Sequence, residues 1–177
     1  MSLGYDNKII TPIMGNHAEE LFPYVYKTKV VDTIQWNGPD NLKSFIDGFK
    51  EREASMSKGS LHQFTILDPE TGKPAGSIDI RPETNLFRAD IGLWIGESFQ
   101  GKGLGSQAVR NITRYGFEIL NLEKIEASIF VGNKSSRRMF EKCGYSLEGT
   151  IRCKTTKYQN YIDEWLFGMI KSDFNKD

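Results

Sequence analysis

The chain has 177 residues, 38% of them hydrophobic and 26% charged, a length and balance suited to one soluble domain over residues 1–177. Its formal net charge of zero argues against an electrostatic nucleic-acid binder, because counterion release needs a basic surface. No apolar run approaches the ~20 residues of a membrane span, and the N-terminus lacks the basic-then-apolar order of a secretory signal, so a cytoplasmic, membrane-free protein is expected.

In chain order, Met1 to Asn7 read as poorly anchored, and Lys8 to Thr11 as a short strand ended by Pro12. Asn16 is placed to cap a helix to about Lys27, with Leu21, Phe22 and Val25 inward and His17 solvated in its first turn. Trp36-Asn37-Gly38-Pro39 is a turn, where Trp36 is open to two readings: packing, or contact with a substrate. Asp40 or Asn41 caps the next helix, on which Leu42, Phe45, Ile46 and Phe49 repeat at three and four as far as about Met56, and Lys58-Gly59 ends it. Strands follow over Phe64 to Leu67, Ala75 to Ile80 and Phe87 to Ile95. The loops between them, from Asp68 to Lys73 and from Arg81 to Asn85, are short and polar, which predicts an antiparallel meander.

Next comes Gln100-Gly101-Lys102-Gly103-Leu104-Gly105, and then a helix to about Leu120 with Leu104, Ala108, Ile112, Tyr115 and Ile119 mostly four apart. Glycines at alternate positions leave the backbone N–H groups of the turn unshielded. With the positive end of the helix dipole they suit a phosphate. A phosphate loop of the Gly-x-x-x-x-Gly-Lys-Ser/Thr kind is excluded, because no Lys-Ser/Thr pair follows; a dinucleotide fingerprint fails because its third glycine falls on Ser106. Ile125, Ala127, Ile129 and Val131 then alternate as a strand, so strand–helix–strand implies a parallel pair with a right-handed crossover. Asn133 caps a helix over Lys134 to Cys143, stopped by Gly144, with Tyr145 packing back over its last turn. Tyr161, Trp165, Phe167 and Met169 mark a long buried strand after a hairpin turn near Gln159-Asn160. Cys143 reads as a buried reduced thiol. Two cysteines and two histidines promise neither a zinc site nor a cysteine nucleophile.

The spacing Gln-x-x-Gly-x-Gly at Gln100, Gly103 and Gly105 resembles the pyrophosphate-binding signature of the GNAT acyl-CoA N-acyltransferases. Ala89-Asp90-Ile91-Gly92-Leu93-Trp94-Ile95, Asn133-x-x-Ser136 and Phe140-Glu141-Lys142-Cys143-Gly144-Tyr145 add a likeness to the RimJ/RimL type of ribosomal-protein N-acetyltransferase and to spermidine acetyltransferases. The resemblance covers about residues 8 to 171. It implies an α+β three-layer fold, with a mixed, mostly antiparallel sheet of six to seven strands flanked by about four helices. It further implies acetyl-CoA as donor, an amine as acceptor, and a homodimer as an open prior.

Residue by residue, the same resemblance gives the backbone of Leu93, Trp94 and Ile95 to the pantetheine arm and acetyl carbonyl. It gives the amides of Gln100, Gly101, Lys102, Gly103, Leu104, Gly105 and Ser106 to the pyrophosphate, and Asn133 to the pantetheine or a water. The strands holding Leu93 and Ile125 to Val131 are expected to splay, and Gly92 and Gly96 fit a bulged or closely approached strand there. An α-amine with a pKa of about 7.7–8.0 needs only a weak base, whereas a lysine amine near about 10.4 needs more help. Asp90 and Glu97, with Glu164 as a third, are candidates to assist it. Phe140 stands where many relatives place a tyrosine and cannot donate a proton to the leaving thiolate. Ser136 is then the candidate acid, with a capping-turn serine as the alternative. The expected activity is direct acetyl transfer to a primary amine, most of all a protein N-terminus. A polyamine or aminoglycoside acetyltransferase and a non-catalytic acyl-CoA-binding module are the alternatives.

Overall fold

The computed structural model describes residues 5–58, 61–84 and 87–174. Seven strands form one sheet in the order β1 (Ile10–Pro12), β2 (His62–Leu67), β3 (Pro74–Pro82), β4 (Arg88–Ile95), β5 (Lys124–Phe130), β7 (Asn160–Ile170) and β6 (Ser146–Lys157). Every pairing is antiparallel except β4 with β5, joined by the crossover helix α3 (Leu104–Glu118). The remaining helices are α1 (His17–Val25), α2 (Leu42–Met56), α4 (Lys134–Lys142) and the short α5 (Lys171–Phe174). This is the α+β architecture the element order implied.

The strand registers give the sheet two unlike faces, because cross-strand partners share a face and neighbours along a strand alternate. One face carries the apolar rows Phe64–Ile78–Leu93, Ile80–Ile91 and Ala89–Ile125–Met169. Against it pack Leu104, Ala108 and Ile112 of α3 and Phe140 of α4, forming the larger core. The other face carries the rows Gln63–Asp79–Gly92 and Arg81–Asp90–Glu126. A polar face in mid-sheet is suited to a site, and α1 and α2 cover only part of it. They close a second, smaller core around Leu21, Val25, Phe45 and Phe49.

The caps explain where the helices begin. Asn41 and Ser44 form a reciprocal box at α2: Ser44 N–H donates to Asn41 Oδ1 (2.9 Å) and Asn41 N–H to Ser44 Oγ (3.2 Å). At α4, Asn133 Oδ1 accepts from Ser136 N–H (3.1 Å). Gly144, with φ at 88°, ends that helix, and Tyr145 lies edge-on to Phe140 at 5.2 Å between ring centroids.

Several expectations are corrected. Asn16 is itself in helical conformation and its side chain caps nothing. Helix α1 stops at Val25, and Lys27 adopts a left-handed φ of 54°. His17 is buried, its Nδ1 2.8 Å from Thr65 Oγ1 on the sheet, so it docks the helix rather than meeting solvent. Tyr5 to Asn7 are anchored: the Tyr5 ring sits edge-on to Phe64 and Tyr115, and Asp6 N–H donates to Asn111 Oδ1 (2.6 Å). Met1 to Gly4, Gly59 and Asn85 lie outside the described residues. Tyr161 is 75% exposed, since β7 outruns β5 at the Phe130–Glu164 pair and beyond it only β6 flanks the strand. The hairpin turns through Tyr158 and Gln159, both at left-handed φ (47° and 65°), as a type I′ turn requires.

Candidate active site

β4 and β5 pair only at Arg88–Lys124, Ala89–Ile125 and Asp90–Glu126. Beyond Asp90 both strands continue, β4 along β3 and β5 along β7, but not against each other. The sheet therefore opens as a wedge into a cleft of ≈ 1400 Å³. Gly96 N–H bonds back to Ala75 on β3 (2.9 Å), so by alternation Leu93 and Ile95 turn their backbone groups toward the opening. The unpaired edge of β4 thus offers main-chain donors and acceptors to an extended ligand. No bulge interrupts the β3–β4 register between Ala89 and Ile95. The expected bulge is absent, and close approach is what the glycines serve: a Cβ on Gly96 would meet the Tyr24 ring at 2.9 Å, and one on Gly92 the Arg81 guanidinium at 3.3 Å.

The Gly turn lies at the wide end of the wedge. Gln100 Nε2 donates to Ile95 O (2.9 Å), one of the outward-turned carbonyls, and so ties the turn to the end of β4. Gly101 and Gly103 hold left-handed φ values of 76° and 77°, and Gly103 is the cap residue of α3. Gly105 serves packing instead, since a Cβ there would sit 2.6 Å from Met139 Sδ on α4. Gln100, Gly101 and Gly103 to Ser106 line the cleft; Lys102 instead extends over the Phe99 ring, 5.6 Å from its centroid. Leu104 is buried, leaving only its backbone for a ligand.

Helix α4 forms the facing wall. Asn133 and Ser136 both line the cleft. Because Asn133 caps the helix through Ser136 N–H, with Ser135 Oγ also donating to Asn133 Oδ1 (2.9 Å), the Ser136 hydroxyl is unengaged by the described residues. The capping-serine alternative is therefore not what Ser136 does. Phe140 is buried against Tyr145 and Phe167. Tyr145 donates to or accepts from Thr113 Oγ1 (2.7 Å) in the core, and burial pushes its phenol far up, as suits a packing residue. Cys143 is half-buried rather than buried. Its Sγ donates to Ser106 O at 3.5 Å, and burial holds the thiol above its ordinary range.

The polar sheet face supplies the floor. Asp79 pairs with Arg81 and accepts from Gly92 N–H; burial raises its carboxyl, against the pull of Arg81 and Arg52. Asp90 sits where the wedge closes. The residue is exposed, yet partial desolvation raises its carboxyl above the usual range, Glu126 adds to this, and Arg81, Lys154 and Arg88 oppose it. Glu97 also lines the cleft, from an exposed turn after β4 and roughly 20 Å along the chain from Asp90 at strand rise. The two carboxylates therefore stand at opposite ends of the opening. Glu164 is fully buried outside the lining, accepting from Gln35 Nε2 (3.0 Å) with Lys154 Nζ at 3.7 Å, a structural role.

Trp36 has the packing role, and its position also opens onto the cleft. It stacks on Phe45 at 6.0 Å and lines the cleft as well as a side hollow of ≈ 230 Å³. Its segment is tied to the β6–β7 hairpin, where Lys157 Nζ donates to Trp36 O (2.8 Å) and Tyr158 Oη to Asp32 Oδ1 (2.9 Å). Sequence reading missed Arg52, Gln63, Asp79, Arg81, Ser128 and Lys154, all cleft-lining. The alternation Ser77-x-Asp79-x-Arg81 within a central strand was a usable signal. For Arg52, on a helix with many charges, there was none.

Among the described residues no cluster of histidine, cysteine and acidic side chains could hold a metal, and no helix is long and apolar enough to cross a membrane. Residues 9–146 match the family model described as an acetyltransferase (GNAT) domain. The uncharacterized N-acetyltransferase YoaA of Bacillus subtilis is 36% identical over 156 residues, covering 88% of this chain and 87% of that protein. Among solved structures, RimJ of Mycobacterium smegmatis in complex with CoA-disulfide superposes with a TM-score of 0.84 at 20% identity, covering 93% of this chain and 82% of its own. Spermidine N-acetyltransferase of Vibrio cholerae in complex with CoA and spermine gives 0.83 at 16% identity, covering 96% and 99%. The split sheet, the Gly turn at its mouth and these matches lead to one conclusion: the chain belongs to the GNAT family of N-acetyltransferases, whose acyl donor is acetyl-CoA.

Proposed function

We propose that the protein acetylates a primary amine, foremost the α-amine of a protein or peptide N-terminus. The observation that carries the reading is the wedge between β4 and β5, with one backbone edge unpaired, the Gly turn at one end and a polar floor beneath. Bound acetyl-CoA supplies an acetyl thioester, which an amine can attack with the coenzyme A thiol as leaving group. The amides of Gln100 to Ser106 hold the pyrophosphate, and Arg138 and Lys142, both on the lining, suit the remaining phosphate charge. The outward-turned backbone groups of Leu93 and Ile95 orient the arm and the carbonyl, with Asn133 opposite, whereas Trp94, expected on the arm, turns its backbone to β3 instead.

In the transfer a C–N bond forms and the C–S bond breaks; an ammonium gives up two protons on the way to the amide, one taken away as the amine becomes neutral and one matched by the proton the thiolate gains. Ser136, with its hydroxyl unengaged on the α4 wall, gives the thiolate its proton. Asp90, raised into a more basic range at the wedge apex, receives the amine proton, directly or through water. Glu97, at the opposite end, stays the less favoured base.

The α-amine is preferred because it is already partly neutral near pH 7.5, so one moderately basic carboxylate suffices. With Arg138 and Lys142 taken by phosphate, a polycation would still meet Lys29, Arg52, Arg81 and Lys154 on the cleft against Asp79, Asp90 and Glu97, no excess of acid to attract it. Thiol release with acetyl-CoA across N-terminal peptides, polyamines and aminoglycosides tests the assignment. Turnover of peptides is expected, and turnover confined to polyamines would overturn it.

A further inference from the structure

The side hollow beside the cleft has aromatic walls, Trp36, Phe45, Phe49 and Trp94, one acid, Asp40, which does not line the cleft, and one cation at the wall it shares with the cleft, Arg52. That guanidinium is half-buried and has an unusual partner. Its Nη1 donates to Gln63 Oε1 (3.2 Å), a neutral oxygen. Gln63 in turn donates through Nε2 to Ser77 Oγ (2.8 Å), and Ser77 donates to Phe64 O (3.2 Å). Each hydrogen bond fixes the direction of the next, so the buried Gln63 can present only its oxygen to Arg52. The relay orients the guanidinium without neutralising it.

No carboxylate of the described residues lies within ion-pair distance of Arg52. Asp79 feels the charge of Arg52, but its bonds are made to Arg81 and Gly92 N–H. A fixed, partly desolvated arginine fork with no carboxylate of the described residues at ion-pair distance matches a planar carboxylate, and its partial desolvation strengthens that attraction.

We propose that the acceptor of this acetyltransferase bears a carboxylate within a residue's length of its reacting amine, and that Arg52, held by Gln63 and Ser77, binds it. This rests on the amine-acetylation reading and narrows it. An acidic side chain at the first or second position of a peptide and the carboxylate of a free amino acid share this chemistry. The hollow accepts the apolar part beside it.

The test compares acceptors that differ only in the charged group. Peptides beginning with Asp or Glu are set against Asn or Gln, the same exchange is made at the second position, and free amino acids are set against their amides. The acid form is expected to exceed its amide in kcat/KM on the order of 10-fold or more, the scale of a charged hydrogen bond, mostly through KM. Discrimination among peptides alone assigns the carboxylate to a peptide side chain; discrimination among amino acids alone assigns it to a small molecule. Arg52→Gln should collapse the ratio to near unity, and Arg52→Lys should restore part of it. The same acids, added with coenzyme A, should raise the melting temperature of the wild type and not of Arg52→Gln. Equal turnover of acids and amides by the wild type, a ratio that survives Arg52→Gln, or preference for spermidine overturns the proposal. Failure of the underlying reading looks different: acetyl-CoA gives no thermal shift and no amine releases thiol.

Discussion

Ser136 and Asn133 separate chemistry from stability within one helical turn. Asn133 caps α4 through the backbone N–H of Ser136, which alanine keeps. Ser136→Ala should therefore leave the melting temperature near wild type while lowering kcat by roughly 10²-fold, the lower range for a lost general acid. Turnover at the wild-type rate across pH rejects the role. Asn133→Ala should instead cost about 1 kcal/mol of cap energy, seen as a melting shift of about 2–4 °C for a domain this size. His17 gives the pH dependence. Burial lowers its pKa, with Glu20 opposing, so as pH falls the unfolded chain takes the proton first. Its contribution to stability is complete above its ordinary value of 6.5 and is lost as pH drops through 6.5 toward the lowered folded value. Thermal melts from pH 7.5 to 5 should show that slope, and His17→Gln should flatten it.

At the level of the element, the Gly turn lines the cleft at the end of β4, but its three glycines do different things. Gly101 and Gly103 supply left-handed backbone, where a side chain costs roughly 1–2 kcal/mol. Gly105 supplies contact between α3 and α4. Gly103→Val should thus remove thermal protection by acetyl-CoA with a modest loss of stability in the free protein. Gly105→Val should destabilise the free protein as well, because Met139 must move. Equal stability of the two variants without ligand would contradict this division. The helices and strands were legible because apolar periodicity and the Asn41 and Asn133 caps are local. His17 and Tyr161 were misread because solvation is not local. A histidine in a polar first turn becomes buried only when Thr65 arrives from β2, and an aromatic in an alternating strand becomes exposed only where its neighbouring strand ends.

For the whole molecule, the function depends on two strands that start together and then part. Acetyl-CoA at about 100 times its dissociation constant should stabilise the fold by ≈ 2.7 kcal/mol, or roughly 5–11 °C in melting temperature. A flat melt across that range would sink the donor assignment. The sheet is also two-sided, its apolar face holding α3 and α4 and its polar face forming the floor of the cleft. Arg52, Gln63, Asp79 and Arg81 reach that floor from α2, β2 and β3, so no window of sequence contains the set.

The sequence by itself determined the donor side: element order, the Gln100 to Gly105 turn, the cap at Asn133 and the family. Each of these is a contiguous signal, because a phosphate loop is built from neighbouring backbone groups. Only the tertiary structure decided the acceptor side. There, register brings Asp79 opposite Gly92, Glu97 is carried away from Asp90, and a relay through Gln63 and Ser77 leaves Arg52 oriented without a carboxylate of the described residues at ion-pair distance. Side chains from separate strands and helices meet at that floor only through long-range packing, and the proposed choice of amine rests on them.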